Sequence, residues 1–243
     1  MKDQLKLFSD FMEEMHALFS DRKINLHSID EKLPIALMAR IMCGCDSLLA
    51  LLNGDMYTYA PMVLRAVEEA SVDLHNLAED QKYILTMKYS FAEQEKRILG
   101  YLEGKNEYAS YFTIGSVARK RLDKAREFIK NNKQRREDSK IEARFTKAGL
   151  IDEHKTTYND LCRSTHSNID KLLENHIKNN GEDVVVHDQS DTKQVTRLID
   201  LALGICITCA DIIAKKYKFE KFDLTIPNEL VKQFREKYIT SKN

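Results

Sequence analysis

Apolar residues recur every three or four positions along most of the chain, which is the spacing of side chains on one face of an α-helix. In the first segment, Leu5, Phe8, Met12 and Met15 fall on such a face. The pattern predicts about seven helices, at Lys2–Ser20, Pro34–Asn53, Ala60–Glu79, Asp80–Glu103, Thr156–Asn179, Thr192–Tyr217 and Asn228–Tyr238.

A single stretch is typical of a β-strand, Asp183-Val-Val-Val-His187. An isolated strand is a marginal element, so we expect an extended loop or a short hairpin near 183–190.

Glycine and proline are scarce, with 8 and 3 residues in the whole chain. A many-stranded sandwich or barrel needs more of both for its turns. Pro34, Pro61 and Pro227 each lie where the first turn of a helix tolerates a missing N–H. The fold class that we predict is therefore all-α, a bundle of helices.

The helices show no break that would mark a domain linker, so we predict one helical domain over residues 1–243. Within it we expect an N-terminal helix and linker (1–31), a core bundle (32–218) and a short C-terminal helix (219–243). The helices that begin at Pro34, Ala60, Thr156 and Thr192 are expected to form its centre.

Composition indicates a soluble protein of the cytoplasm. The chain of 243 residues is 43% hydrophobic, and its 38 basic and 38 acidic residues cancel. Acidic residues interrupt the apolar positions of the first segment, which a signal peptide would not show. The strongly apolar run Leu201–Ala210 is half a bilayer span. Five cysteines leave one unpaired in any disulfide scheme, which favours reduced thiols. We expect no membrane partner.

The segment Tyr158-Asn-Asp-Leu-Cys162-Arg163-Ser-Thr-His166 places a phenol, a guanidinium and an imidazole on about two turns of a predicted helix. A functional His166 would exchange protons near neutral pH, and Arg163 could offset the charge of a phosphate. The structural interpretation is a core histidine whose ring is held by a tyrosine or a carboxylate of a neighbouring helix.

Arg65 and Glu69 lie one turn apart in the third predicted helix, and Asp73 continues their row. The pair is either a surface salt bridge or a partly buried one, in which Glu69 holds Arg65 to clamp the bundle or to present a cation to an anionic ligand. The spacing does not decide between them.

Arg65-x-x-x-Glu69, followed by Tyr158-x-x-Leu161-Cys162-x-x-x-His166, resembles the motifs of an uncharacterised bacterial family known only as a domain of unknown function. The resemblance covers roughly Met38 to Ala214. It implies an all-helical fold without an established activity.

The architecture of that family is similar to a helical nucleotide-binding and ribonuclease superfamily of prokaryotic toxins and phage defence. The ribonucleases of the superfamily carry Arg, four to six residues and then His. Arg163 and His166 have only two residues between them, so this chain departs from the pattern. Arg22 and His27 fit the spacing but lie in a predicted linker.

The balanced total charge hides a basic segment from about Ser116 to Ala148, in which twelve cations and five anions give a net charge of +7. The segment could follow a phosphate backbone or form a solvated face. The cations proposed for RNA contact are Arg119, Lys120, Arg121, Lys124, Arg135 and Arg136.

Neither a metal nor a cofactor is expected. Cys206 and Cys209 have the two-residue gap of a zinc knuckle, but they lie inside an apolar helix without a second ligand pair at a matching interval. We predict buried thiols.

Two functions remain open. In the first, the chain is a bacterial defence or toxin-like protein acting on RNA, with His166 in acid–base chemistry, Arg65 and Arg163 meeting phosphate, and Glu69 and Tyr158 orienting them. In the second, it is a non-catalytic helical module in which these groups form a buried network, while exposed stripes bind a protein partner or a second copy of the chain.

Overall fold

The computed structural model describes residues 1–20, 28–101, 115–165, 168–178, 183–184, 192–217 and 222–240. The helices in the first half are α1 (Lys2–Ser20), α2 (Ile29–Asn53), α3 (Ala60–Glu79) and α4 (Ile84–Gly100). Those that follow are α5 (Gly115–Asn131), α6 (Ile141–Lys147), α7 (Ile151–Glu153), α8 (Asn159–Thr165), α9 (Ile169–His176), α10 (Thr192–Tyr217) and α11 (Thr225–Tyr238). The prediction of an all-α bundle is confirmed.

The segment His154–Tyr158 is π-helical and joins α7 to α8 without a break. The predicted helix Thr156–Asn179 therefore has the wrong bounds, because the observed helical segment begins at Ile151 and α9 is a separate helix. Periodicity did not indicate the π-helical segment, since one wider turn shifts the apolar spacing by a single residue.

Helix α2 begins five residues before the predicted start at Pro34, because Ser28 caps it. The Ser28 hydroxyl accepts a hydrogen bond from the Glu31 N–H at 3.3 Å, and the Ser28 N–H donates to the Glu31 carboxylate at 3.1 Å. This reciprocal pair is a capping box. Pro34 thus lies inside the helix, where it removes one intrahelical hydrogen bond.

The main core is built from α1, α2, α3 and α10, with α11 packed against it. Phe8, Met38, Leu64, Leu203 and Phe234 are all buried in this cluster. The centre therefore includes α1, which lies outside the predicted core bundle of residues 32–218. Leu161 of α8 also belongs to this cluster, as expected for the segment that carries Tyr158, whereas Tyr158 itself packs at the side of α3.

A second, smaller apolar cluster holds that side together. Val72 of α3, Phe145 of α6 and Tyr158 are its buried members, and Cys162 packs against them. This cluster fixes the positions of Tyr158 and α6 relative to α3, which determines the geometry of the site described below.

The predicted hairpin is present in the described part of the chain as two short antiparallel strands, β1 (Ile177–Lys178) and β2 (Asp183–Val184). Its first strand precedes the predicted range, and residues 185–190 lie outside the described residues.

Helix α2 is long and apolar enough to cross a membrane by length and composition. In this fold Leu37, Met38, Ile41 and Leu48 of α2 are buried in the main core. The core helix of a soluble protein satisfies the same criterion, so cytoplasmic location stays a prediction.

Candidate functional site

A row of charged side chains runs along one side of α3. Arg65, Glu69 and Asp73 follow each other at intervals of one helical turn, so their side chains are neighbours. Each belongs to a cluster that a distant part of the sequence completes.

Arg65, Glu69 and Tyr158 form the first cluster. The Tyr158 hydroxyl donates to Glu69 Oε1 at 2.8 Å, and Arg65 Nε lies 3.1 Å from the same oxygen and 3.3 Å from the tyrosine hydroxyl. The guanidinium carbon also lies 5.5 Å from the centre of the Tyr158 ring. The side chains of Arg65 and Glu69 are only 25% and 33% exposed, so the partly buried interpretation of this pair holds.

Asp73, Arg144 and Tyr83 form the second cluster. Arg144 lies 2.7 Å from Asp73 Oδ1, which also accepts a hydrogen bond of 2.7 Å from the Tyr83 hydroxyl. Arg144 donates a further bond to the main-chain oxygen of Glu69 at 3.4 Å, which links the two clusters. The side chains of Arg144 and Asp73 are 14% and 15% exposed.

Sequence reasoning did not identify Arg144 as part of a site, because it stands in the basic segment and looked like one solvated cation among many. Asp73, which continues the α3 row, was the available signal in the sequence. If its carboxylate is buried it requires a cationic partner, and Arg144 is that partner. Nothing in the sequence around Tyr83 indicated that it belongs to the site.

Burial raises the pKa of both phenols above the ordinary value. For Tyr158, the hydrogen bond to Glu69 adds to the effect of burial and Arg65 opposes it. For Tyr83, the charge of Asp73 adds to burial. Both hydroxyls therefore stay protonated near neutral pH and act as hydrogen-bond donors to the carboxylates.

Glu68, beside the row on α3, is 6% exposed, and its Oε2 has no hydrogen-bond partner among the described residues. Burial, followed by the charges of Glu153 and Glu69, raises the pKa of its carboxyl to about 8. Glu68 and Glu69 look alike in the sequence, so the burial of Glu68 could not be predicted from it.

Of the remaining predicted catalytic residues, Arg163 joins neither cluster. The Arg163 side chain is 57% exposed and lies 4.0 Å from the Asp170 carboxylate. His166 lies outside the described residues, as do Arg22 and His27.

The six cations proposed for RNA contact occupy three different settings. Arg121 makes two hydrogen bonds of 2.8 Å to Glu95 on α4. Arg135 is half-buried and lies 3.6 Å from Asp138. The others are exposed: Arg119, Lys120, Lys124 and Arg136. The basic segment is thus a partly paired face, on which five of the six proposed cations, Arg121 included, are exposed.

Cys206 and Cys209 are buried free thiols, as predicted. Burial raises the pKa of Cys209 to about 12, and its sulfur lies 3.4 Å from the Ser71 hydroxyl. Both thiols are protonated at neutral pH and pack as apolar groups.

Tyr158→Phe should lower the free energy of unfolding by about 1–3 kcal/mol, because it leaves the half-buried Glu69 carboxylate without its phenol donor. Urea unfolding measures this loss. Tyr89→Phe is the matched control, since its ring is buried while its hydroxyl makes only a 3.4 Å contact with the exposed Glu93. An equal loss in both variants would mean that the Glu69 contact contributes nothing.

Comparison with curated proteins and with solved structures finds no significant match. The profile of a family of unknown function, DUF5677, matches residues 31–184. This range starts at α2, ends at the hairpin and includes Arg65, Glu69 and Tyr158. It covers more than half of the chain, although it stops before α10. The resemblance to an uncharacterised family is thereby confirmed, and the chain belongs to the family of unknown function DUF5677.

Proposed function

We propose that this protein is a non-catalytic helical interaction module in which the charged row of α3 is a structural element. One observation carries the proposal: Arg65, Glu69 and Tyr158, which a phosphate-handling site would need free, hydrogen-bond to one another. A buried polar network whose groups are paired fixes how the surrounding helices pack.

The same contacts oppose a catalytic role for these three residues. A guanidinium that meets phosphate needs its N–H groups directed at the ligand, and Arg65 Nε is shared between Glu69 and Tyr158. The raised pKa of Tyr158 makes its phenolate scarce at neutral pH, so it is a poor general base.

The surface that suits an interaction is an apolar stripe on α4 and just beyond its end. Phe91, Ile98 and Tyr101 recur at helical spacing and are 62%, 45% and 65% exposed. Contiguous exposed apolar side chains of this size mark interaction sites. Exposed charges of both signs, Glu93 and Arg97, lie on the same helix.

A second copy of the chain is the partner that fits this stripe. A two-fold axis places the same surface on both sides of an interface, so the surface must be complementary to itself. An apolar stripe meets that condition, because the same apolar side chains of the two copies can pack against each other.

Sedimentation equilibrium should therefore show a reversible dimer, and Phe91→Ser combined with Ile98→Ser should make the protein monomeric. The expected loss of affinity is about a hundredfold or more, because two large apolar side chains leave the interface. Val184→Ser with Ile226→Ser is the matched control, since these side chains are 76% and 55% exposed elsewhere. A wild-type protein that stays monomeric at the highest concentration reached would contradict self-association.

A second candidate function, a defence protein acting on RNA, is supported by the exposed cations Arg119, Lys120 and Lys124 of α5. If the protein binds RNA through them, replacing all three by Gln should reduce the salt dependence of binding to single-stranded RNA. The slope of the logarithm of the association constant against the logarithm of the salt concentration should become less steep by about 2. Lys2, Lys32 and Lys232, which are exposed on α1, α2 and α11, provide the matched triple control. Cleavage should also disappear in His166→Ala. Absence of RNA binding at low salt would eliminate this function.

A further inference from the structure

A cleft with a volume of about 350 Å³ opens beside the charged row, between α2, α3, α4 and α6. This volume is at the lower end of the range for small-molecule sites. Its walls come from four helices of the bundle, so the cleft is preformed.

Two polar rows line the cleft. On α3, Glu69 and Asp73 each use one carboxylate oxygen to accept the hydrogen bonds of the clusters described above. Their other oxygens, Oε2 and Oδ2, make no hydrogen bond to another residue that the structure describes. On α4, Thr86, Ser90 and Gln94 follow each other at one-turn intervals.

Thr86 gives an independent sign that this wall has an unused polar group. Its side chain is buried, and its hydroxyl has no hydrogen-bond partner within the described ranges. A buried hydroxyl without a partner is costly to the fold and needs an explanation. The α4 wall of the cleft is therefore more polar than packing alone requires.

A cation and an apolar surface complete the lining. Arg40 of α2 is exposed and makes no ion pair with any residue of the described part. Leu37, Ala70 and Met87 supply apolar surface. Two carboxylates and two guanidiniums, those of Arg40 and Arg144, line the cleft, so their charges balance.

We propose that the cleft binds a small zwitterion, a free α-amino acid with an apolar side chain. Its ammonium group donates to Glu69 Oε2, to Asp73 Oδ2 and to the Ser90 hydroxyl, which matches the three N–H donors of an ammonium. Its carboxylate pairs with Arg40, and its side chain lies on the apolar surface.

The balance of charges favours this class over ions of one sign. A simple anion would meet Glu69 and Asp73, whereas a simple amine would leave Arg40 without a partner. A site whose polar groups would stay unpaired rejects a ligand that lacks the matching group. This ligand goes beyond the proposed interaction function and does not depend on it.

Isothermal titration calorimetry of the purified chain with each common amino acid tests the proposal. We expect saturable binding of an apolar member such as L-phenylalanine. Removing either charge should weaken binding about tenfold or more, because a hydrogen bond to a charged group is lost. Phenethylamine lacks the carboxylate and 3-phenylpropionate lacks the ammonium, so they are the matched analogues of phenylalanine.

Arg40→Met should weaken binding of the amino acid about tenfold or more, while Lys32→Met, at another exposed cation of α2, should leave it unchanged. Both substitutions are at exposed positions, and circular dichroism verifies that the variants fold. Absence of binding by every amino acid at millimolar concentration would overturn the proposal. Equal affinity for the singly charged analogues would also overturn it.

Discussion

Arg144→Met should lower the free energy of unfolding by about 3–5 kcal/mol, the range for breaking a buried ion pair by removal of one partner. The substitution keeps the length of the side chain and leaves the Asp73 carboxylate, at 15% exposure, without its cation. Tyr83 would then be the remaining donor to Asp73 Oδ1. Urea unfolding followed by circular dichroism measures the loss.

Arg197→Met is the matched control for Arg144→Met. Arg197 lies 2.8 Å from the Asp160 carboxylate, and the two side chains are 53% and 42% exposed. Surface pairs of this kind contribute about 0–1 kcal/mol. If the two variants lose the same free energy of unfolding, burial does not make the Asp73–Arg144 pair more stabilising than a surface pair. The α3 row would then not be the structural element proposed here.

Glu68→Gln should stabilise the protein, and the gain should grow with pH. The pKa of this carboxyl is about 8 in the folded protein against an ordinary value of 4.5. Between these values the folded protein holds a proton that the unfolded chain has released, so raising the pH favours unfolding of the wild type. Glutamine has no charge to bury, so Glu68→Gln should not lose stability in this way as the pH rises.

The advantage of Glu68→Gln over the wild type should rise by about 1.4 kcal/mol per pH unit between pH 5 and 8, for a total of about 3–5 kcal/mol. Chemical unfolding at several pH values measures it. Glu153→Gln provides the comparison, because the charge of Glu153 raises the pKa of Glu68. Its removal should lower the upper end of this pH range and so reduce the total gain only in part. A pH-independent difference between Glu68→Gln and the wild type would show that Glu68 is ionised in the fold.

The helices could be predicted from the sequence because apolar spacing reports directly on which face of a helix is buried. The ends of the helices were harder to predict where a capping motif or a proline indicated a different end from the apolar spacing. Ser28 and Glu31 set the start of α2, although Pro34 looked like the first turn. The π-helical segment His154–Tyr158 depends on packing against Phe145, which lies 4.9 Å from Tyr158 between ring centres.

The candidate site was predictable only where its parts are close in sequence. Arg65 and Glu69 could be paired from their spacing. Tyr158 was placed with them through the resemblance of the motifs, because spacing does not show how α3 and the distant π-helical segment pack. Arg144 could not be distinguished from the other cations around it, because its burial is a tertiary property. Glu68 was missed for the same reason.

If the contact between Glu69 and Tyr158 holds the bundle together, a double-mutant cycle should detect a coupling between the two side chains. The free energy of unfolding would be measured for the wild type, Glu69→Ala, Tyr158→Phe and the double variant. The contact at 2.8 Å predicts a coupling energy of about 1–3 kcal/mol, since the second substitution then has little left to remove. Additive losses, with a coupling energy of zero within error, would contradict the structural role of the α3 row.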